Sequence, residues 1–202
     1  MATLTAPPPA LGNDGTLGYE GLERYNECWD GEIVVPPMAN DEHTRLQMQL
    51  GAIFSGLIDW DAGESCHPGA NISDRAIGWL HNFRIPDVLV YLRGNPARDC
   101  GTHWVGGPDF LVEIMSDDED PLAKLDFYAS IGTREVLIVQ RDPWALELFR
   151  LKDGTLASTG RCEVGSNATL ISESLGLTFA LHDGPKIAIE HPTNRSKWII
   201  SP

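Results

Sequence analysis

Asp87-Val-Leu-Val-Tyr-Leu92 and Phe110-Leu-Val-Glu-Ile-Met115 are two short apolar runs, and an acidic loop then leads into the stretch from Pro121 to Ser130. Val, Leu, Ile and aromatic residues bounded by turn-formers read as strands, and the last stretch reads as a helix. Each strand carries one carboxylate, Asp87 at the start of the first and Glu113 near the end of the second. An unpaired charge is expensive to bury, so a plain core strand would carry neither. If the two strands pair antiparallel with Val90 facing Phe110, Asp87 falls opposite Glu113, near enough to share a cation. Side chains alternate along a strand, so Glu113 and Met115 share one face while Phe110, Val112 and Ile114 take the other. Lys124 comes within the first turn or so after Pro121, where it can point back at the same strand end.

Two acids and one amine meeting there suit metal-assisted hydrolysis of a phosphodiester. The acids offer oxygen ligands to a hard divalent ion, and the lysine steadies the attacking water or the developing charge. Taken singly, most of these residues have plainer readings. Asp87 after Pro86 is a common turn pair, and Lys124 alone is an ordinary helix-surface lysine. Asp120 ahead of Pro121 suits a helix cap. Tyr128 reads as a packing residue, and Ser116 as a strand end bonding backbone. Glu113, flanked by apolar residues on both sides, is the hardest to read as merely structural.

Pro86-Asp87, Glu113 with Ser116 three residues on, then Asp120, Lys124 and Tyr128 resemble, in that order, the PD-(D/E)XK nuclease superfamily, and within it the bacterial endonucleases of the Uma type. The resemblance runs from about Tyr25 to Leu181. It implies a restriction-endonuclease-like α/β fold, a mixed central sheet flanked by helices in a single domain. It also implies a divalent-metal-dependent endonuclease acting on DNA. Asp87 and Glu113 would then bind Mg²⁺ or Mn²⁺ with the backbone carbonyl of Ile114, and Lys124 would orient or help deprotonate water. His43, by itself a core-edge histidine one turn before Leu46 and Leu50, joins the catalytic candidates because the first helix of related folds lends a polar residue to the site. Glu42 and Glu32 carry the same sort of expectation.

The chain also departs from the family pattern. The superfamily places its lysine two residues after the second acid, where this sequence has Met115; Uma-type sequences carry it on the next helix. Gln140 stands where many of them have Asp, and Asp117-Asp118-Glu119-Asp120 where they are usually basic. Four acids beside a metal site could hold a second ion, repel a phosphate backbone, or form a solvated loop. They motivate an alternative of another class, a catalytically silent nuclease fold serving as a binding or regulatory module. A hydrolase of small phosphate esters is a third reading. A homodimer is expected of an enzyme that cuts both strands with two copies of one site.

The bounds are those of an ordinary globular domain. The chain has 202 residues, 42% hydrophobic and 22% charged, which suits one domain with a sizeable core. The net charge of −14 counts against a surface that grips nucleic acid all round, though not against a local basic cleft. Cys28, Cys66, Cys100 and Cys162 are scattered and form no C-x-x-C pair, so zinc is not expected and reduced thiols in a cytoplasm are the default. No apolar run approaches the length of a membrane span. Residues 1–18, rich in Pro, Ala, Gly and Thr, read as a leader without signal-peptide character, ahead of a domain spanning 19–202.

Along that domain, Tyr25 to Pro37 reads as a strand pair turning at Asp30-Gly31. A helix capped by Asn40 or Asp41 carries Leu46, Leu50, Ile53 and Leu57 on one stripe. Asp61 to Ser73 reads as a loop, and Ala76 to Phe83 as a strand hairpinned through Arg84-Ile85-Pro86 into the Asp87 strand. The long connection from Arg93 to Asp109 has no expected catalytic role. Gly132 stops the second helix, and Glu135 to Gln140 reads as a buried strand parallel to the Glu113 strand. Leu146–Leu151 and Leu156–Cys162 form a hairpin about Asp153-Gly154. The tail reads as short edge pieces. His67, His81 and His103 have no metal-ligand spacing and are left as structural.

Overall fold

The strand after Asp87 and the strand holding Glu113 lie side by side in a six-stranded sheet. The computed structural model describes residues 2–3, 26–115, 120 and 122–202. In chain order, β1 (Ala2–Thr3), β2 (Glu27–Trp29) and β3 (Glu32–Val35) precede helix α1 (Asp41–Ser55). Next come β4 (Ser65–Pro68), β5 (Ile72–Ser73), β6 (Phe83–Arg84), β7 (Val88–Tyr91), β8 (Arg98–Asp99), β9 (Trp104–Val105), β10 (Phe110–Ile114) and helix α2 (Leu125–Ser130). β11 (Glu135–Arg141), β12 (Trp144–Lys152) and β13 (Thr155–Glu163) complete the large sheet. β14 (Leu170–Ser172), β15 (Leu177–His182), β16 (Lys186–His191) and β17 (Ser196–Ile200) form a four-stranded meander.

The large sheet runs in the order β13-β12-β11-β10-β7-β4. Its one parallel pair is β10 with β11, joined across α2; its other pairings are antiparallel. β7 meets β10 with Val90 opposite Phe110 and Val88 opposite Val112, the register expected from the apolar pattern. Because the side-chain period is two, that register sends alternate residues to opposite faces. Val88, Val90, Phe110, Val112 and Ile114 face α1 (Leu46, Leu50, Phe54) and the meander (Leu177, Phe179, Ile187, Ile189). Leu89, Leu111, Val136 and Ile138 face α2 (Leu125, Phe127, Tyr128) together with Ile72 and Trp104. The third sheet, β1-β3-β2-β6-β5-β9-β8, is built of strands of two to four residues.

Several expectations need correction. Ala76 to Phe83 is not a strand: Gly78 takes φ 69°, a 3₁₀ turn follows at Trp79–His81, and only Phe83–Arg84 extends. A glycine in the left-handed region breaks an extended run. β7 instead pairs with β4, inside the segment read as loop. Ser65-Cys66-His67-Pro68 was hard to see because an edge strand needs few inward apolar residues, here Cys66 beneath α1. The tail is no edge: it closes one side of the larger core, supplying Leu170, Leu177, Phe179, Leu181, Ile187, Ile189 and Ile200. It is tied on by Glu135, whose carboxylate accepts hydrogen bonds from Ser172 Oγ (2.5 Å) and the Glu173 and Ser174 amides while pairing with Arg150. α2 begins at Leu125, later than Pro121. Apart from Ala2–Thr3, the leader expected at 1–18 lies outside the described residues, as do Ser116, Asp117–Glu119 and Pro121.

Both predicted hairpin turns are present, with Asp30 at φ 50° before Gly31 at φ 93° and Asp153 at φ 51° before Gly154 at φ 82°. Asn40 is the cap of α1, accepting from the His43 amide at 2.9 Å. Phe54 is fully buried, its ring centroid 5.5 Å from Phe110 and 6.5 Å from Phe179. Phe54→Ala should lower the unfolding free energy by about 3–5 kcal/mol, since the cavity lies where helix, sheet and meander meet. Urea denaturation checks this, and a loss below about 1 kcal/mol would mean the three layers do not share one core.

Candidate active site

Asp87 precedes β7 at the edge of the register, its amide donating to Val112 O at 3.1 Å. Continuing the pairing by one residue sets it beside Glu113. Its side chain is held on both sides: Oδ2 accepts from the Ile114 amide at 2.7 Å, and Oδ1 lies 2.7 Å from His43 Nε2. His43 sits in the first turn of α1, one turn ahead of Leu46, on the stripe that packs against the sheet. Packing therefore turns it inward, and its Nδ1 is buried with no partner among the described residues. Gln47, one turn further on, donates to Asp87 O at 2.8 Å. Arg141, at the end of β11, donates to Met115 O (2.7 Å), Asn40 Oδ1 (2.9 Å) and Glu42 Oε1 (3.1 Å), fastening the helix start to the end of β10.

Glu113 faces α2. Lys124, the residue at the start of that helix, reaches it with Nζ 3.3 Å from Oε1 and reaches Glu27 Oε1 at 2.9 Å. Tyr128, one turn later and fully buried, donates its hydroxyl to the same Glu113 oxygen in a short hydrogen bond. Glu27 comes from β2 and is also buried. It accepts from the Ile85 amide (2.8 Å) and from the Trp29 indole N–H (2.8 Å). Burial works to raise the Glu27 pKa, but the Lys124 charge and these hydrogen bonds outweigh it and hold the carboxyl below its usual range. Glu113 goes the other way, pushed up to about 7. Burial is the largest cause, and Lys124 opposes it while the Asp87 and Glu27 charges add to it. Two carboxylates sharing one ammonium are thus driven apart in acidity.

The donor chemistry suits a hard divalent cation. Mg²⁺ is commonly held by one or two carboxylates with water completing its shell. Among the described residues no group of three or more His, Cys, Asp or Glu side chains is arranged to hold a metal. Glu27 and Glu113 share one ammonium, and the Asp87 and Glu27 charges both oppose ionisation of Glu113, a repulsion that a cation at Glu113 would offset.

A family model described as "Uma2: Putative restriction endonuclease" matches residues 19–182. The chain belongs to the Uma2 family. No curated protein matches it. Among solved structures, it is similar to the crystal structure of "a putative nuclease belonging to DUF820" from Anabaena variabilis, with a TM-score of 0.59 and 15% identity over 74% of this chain and 82% of that one. At that identity the likeness is one of fold, a mixed central sheet with few helices.

In this Uma2 chain, Asp87, Glu113, Lys124 and His43 come together at one end of the sheet, with Tyr128 and the backbone of Ile114. Glu27 was missed. It lies two residues before Trp29 in a three-residue strand, and its pairing with Lys124 spans 97 positions, so the clue in the chain was a charged residue beside a hairpin turn. Other candidates lie apart. Glu42 is spent on Arg141, Glu32 is exposed, and Gln140 accepts from Arg161 at 2.6 Å. Asp120 caps the turn before α2, its Oδ1 accepting from the Leu122 amide at 2.9 Å. Among the described residues no helix is long and apolar enough to cross a membrane.

The raised Glu113 pKa has a consequence for stability. The unfolded chain releases this proton near 4.5 and the folded chain near 7, so between those values the folded state holds more protons. The group's contribution is fully present below the lower value and is lost as pH rises to the upper one. Glu113→Gln, which cannot titrate, should abolish this slope. Thermal unfolding from pH 4 to 8 should show the wild type losing stability relative to the variant up to about pH 7 and no further. A constant difference would contradict the placement of Glu113.

Proposed function

We propose that this Uma2 chain is a divalent-metal-dependent endonuclease that hydrolyses DNA phosphodiester bonds. The observation that carries the reading is Lys124 Nζ standing within 3.3 Å of Glu113 and 2.9 Å of Glu27, with the Asp87 charge close enough to act on Glu113. Asp87 and Glu113, with the Ile114 carbonyl, would hold Mg²⁺ or Mn²⁺, and the bound cation would supply a more acidic water and neutralise charge on phosphorus oxygens. Glu27, held ionised, keeps a positive charge favourable on Lys124. Lys124 orients the attacking water or helps deprotonate it, and its charge stabilises the phosphoryl oxygens. His43 fixes the Asp87 carboxylate against rotation, and Tyr128 fixes that of Glu113. Both keep the oxygens preorganised, which is where positioning lowers a barrier.

A second reading has its own support. Both oxygens of Asp87 are already engaged, and the net charge is −14, so a nuclease fold that binds without cutting is the alternative. Supercoiled plasmid incubated with Mg²⁺ or Mn²⁺ separates the two. The wild type should nick or linearise it, and Asp87→Ala and Lys124→Ala should each cut slower by roughly a hundredfold or more. Unchanged cutting by both variants refutes the assignment, and no cutting by any form favours the silent module.

A further inference from the structure

Arg84 is buried, yet among the described residues it makes no ion pair with a carboxylate. Its guanidinium lies between two rings, 4.4 Å from the centroid of Trp29 and 4.2 Å from that of Phe127. One nitrogen, Nη1, donates to Cys28 O (3.0 Å), Phe83 O (3.0 Å) and Asn82 Oδ1 (3.1 Å), and Nε is buried without a partner. An apolar side chain of similar length would fill such a slot at less expense, because a buried charge that is not well paired is costly. Something besides packing accounts for the arginine.

The two rings supply the reason. Trp29 is the residue whose indole N–H donates to Glu27 Oε2, and Phe127 belongs to α2 next to Tyr128, which holds Glu113. The residue after Arg84 adds the Ile85 amide on the other Glu27 oxygen. The guanidinium thus presses on the two pieces that must stay in register for one ammonium to reach both acids, the β2 hairpin and the start of α2. It also places positive charge behind Glu27.

Building on the nuclease reading, we propose that Arg84 is a positioning residue for Lys124, clamping Trp29 and Phe127 so that the Lys124 ammonium bridges Glu27 and Glu113. A flat cation attracted to both ring faces does this in a way neither lysine nor methionine can match. Full-length Arg84→Met tests it, since methionine fills the slot without charge or planarity. Two readouts are used, the ¹⁵Nζ signal of Lys124, assigned by its loss in Lys124→Arg, and the kinetics of plasmid cleavage with Mg²⁺.

The ordered ammonium of the wild type should give a slowly exchanging signal that Arg84→Met loses. The variant should melt near the wild type, and kcat should fall by roughly tenfold while KM moves less than about twofold, the split expected when a catalytic group is displaced and binding is not. A retained signal with unchanged kcat in a folded Arg84→Met overturns the proposal. So does a fall in kcat that merely tracks melting temperature. If Arg84→Met does not fold, Arg84→Lys takes its place; it keeps the charge but cannot cover both rings, and an undiminished Lys124 signal there overturns the proposal as well. If the wild type cuts nothing, the nuclease reading fails while the Lys124 signal still decides the role of Arg84.

Discussion

Lys124 is the ammonium shared by Glu27 and Glu113, two carboxylates that stand largely out of water at one end of the sheet, and the repulsion that Glu27 and Asp87 exert on Glu113 is the constraint the site answers to. Like charges in a poorly solvated place do not stay ionised together unless something offsets them. Each acid is offset differently. Glu27 has the lysine and two N–H donors, and Asp87 has a histidine and a backbone amide. Glu113 is left with a shared ammonium and a tyrosine hydroxyl, and it is the one whose proton is hard to remove. That inequality makes Glu113 the natural place for a further cation.

Register in the sheet holds this arrangement in place. β7 and β10 are buried on both faces, so each must keep its register or expose a row of large apolar side chains. A slip of one residue in β10 would drive Glu113 into the α1 core and send Ile114 toward α2. The meander and α1 hold one face, and α2 holds the other, a helix of six residues that carries Tyr128 and has Lys124 as its cap. A helix that short has little stability of its own, so its position depends on the packing of Leu125, Phe127 and Tyr128.

Much of this was legible in the sequence because the signals were local. The β7 and β10 runs, the parallel crossover to β11, both Asp-Gly hairpins and the α1 stripe each follow from a handful of adjacent residues. The opposition of Asp87 and Glu113 follows from one assumed register, which the structure has. What escaped were features decided by distant contacts. Glu27 owes its importance to a lysine 97 residues away, and Arg84 to rings on two other elements. β4 was hidden because an edge strand of Ser, Cys, His and Pro shows no alternation. The meander was misjudged because its strands are short, though together they bury Leu177, Phe179, Leu181, Ile187 and Ile189. Lys124 was placed by its position early in the helix after Pro121 and by the resemblance to Uma-type sequences, since taken alone it reads as a surface lysine.

The central claim is that a divalent cation belongs between Asp87 and Glu113, beside the lysine. The most direct measurement is anomalous scattering from a crystal soaked in Mn²⁺. One strong peak is expected about 2.0–2.2 Å from a carboxylate oxygen of each residue, with Lys124 close by but not bonded to the metal. A peak elsewhere, or full Mn²⁺ occupancy on the protein surface with none between those two acids, would contradict it.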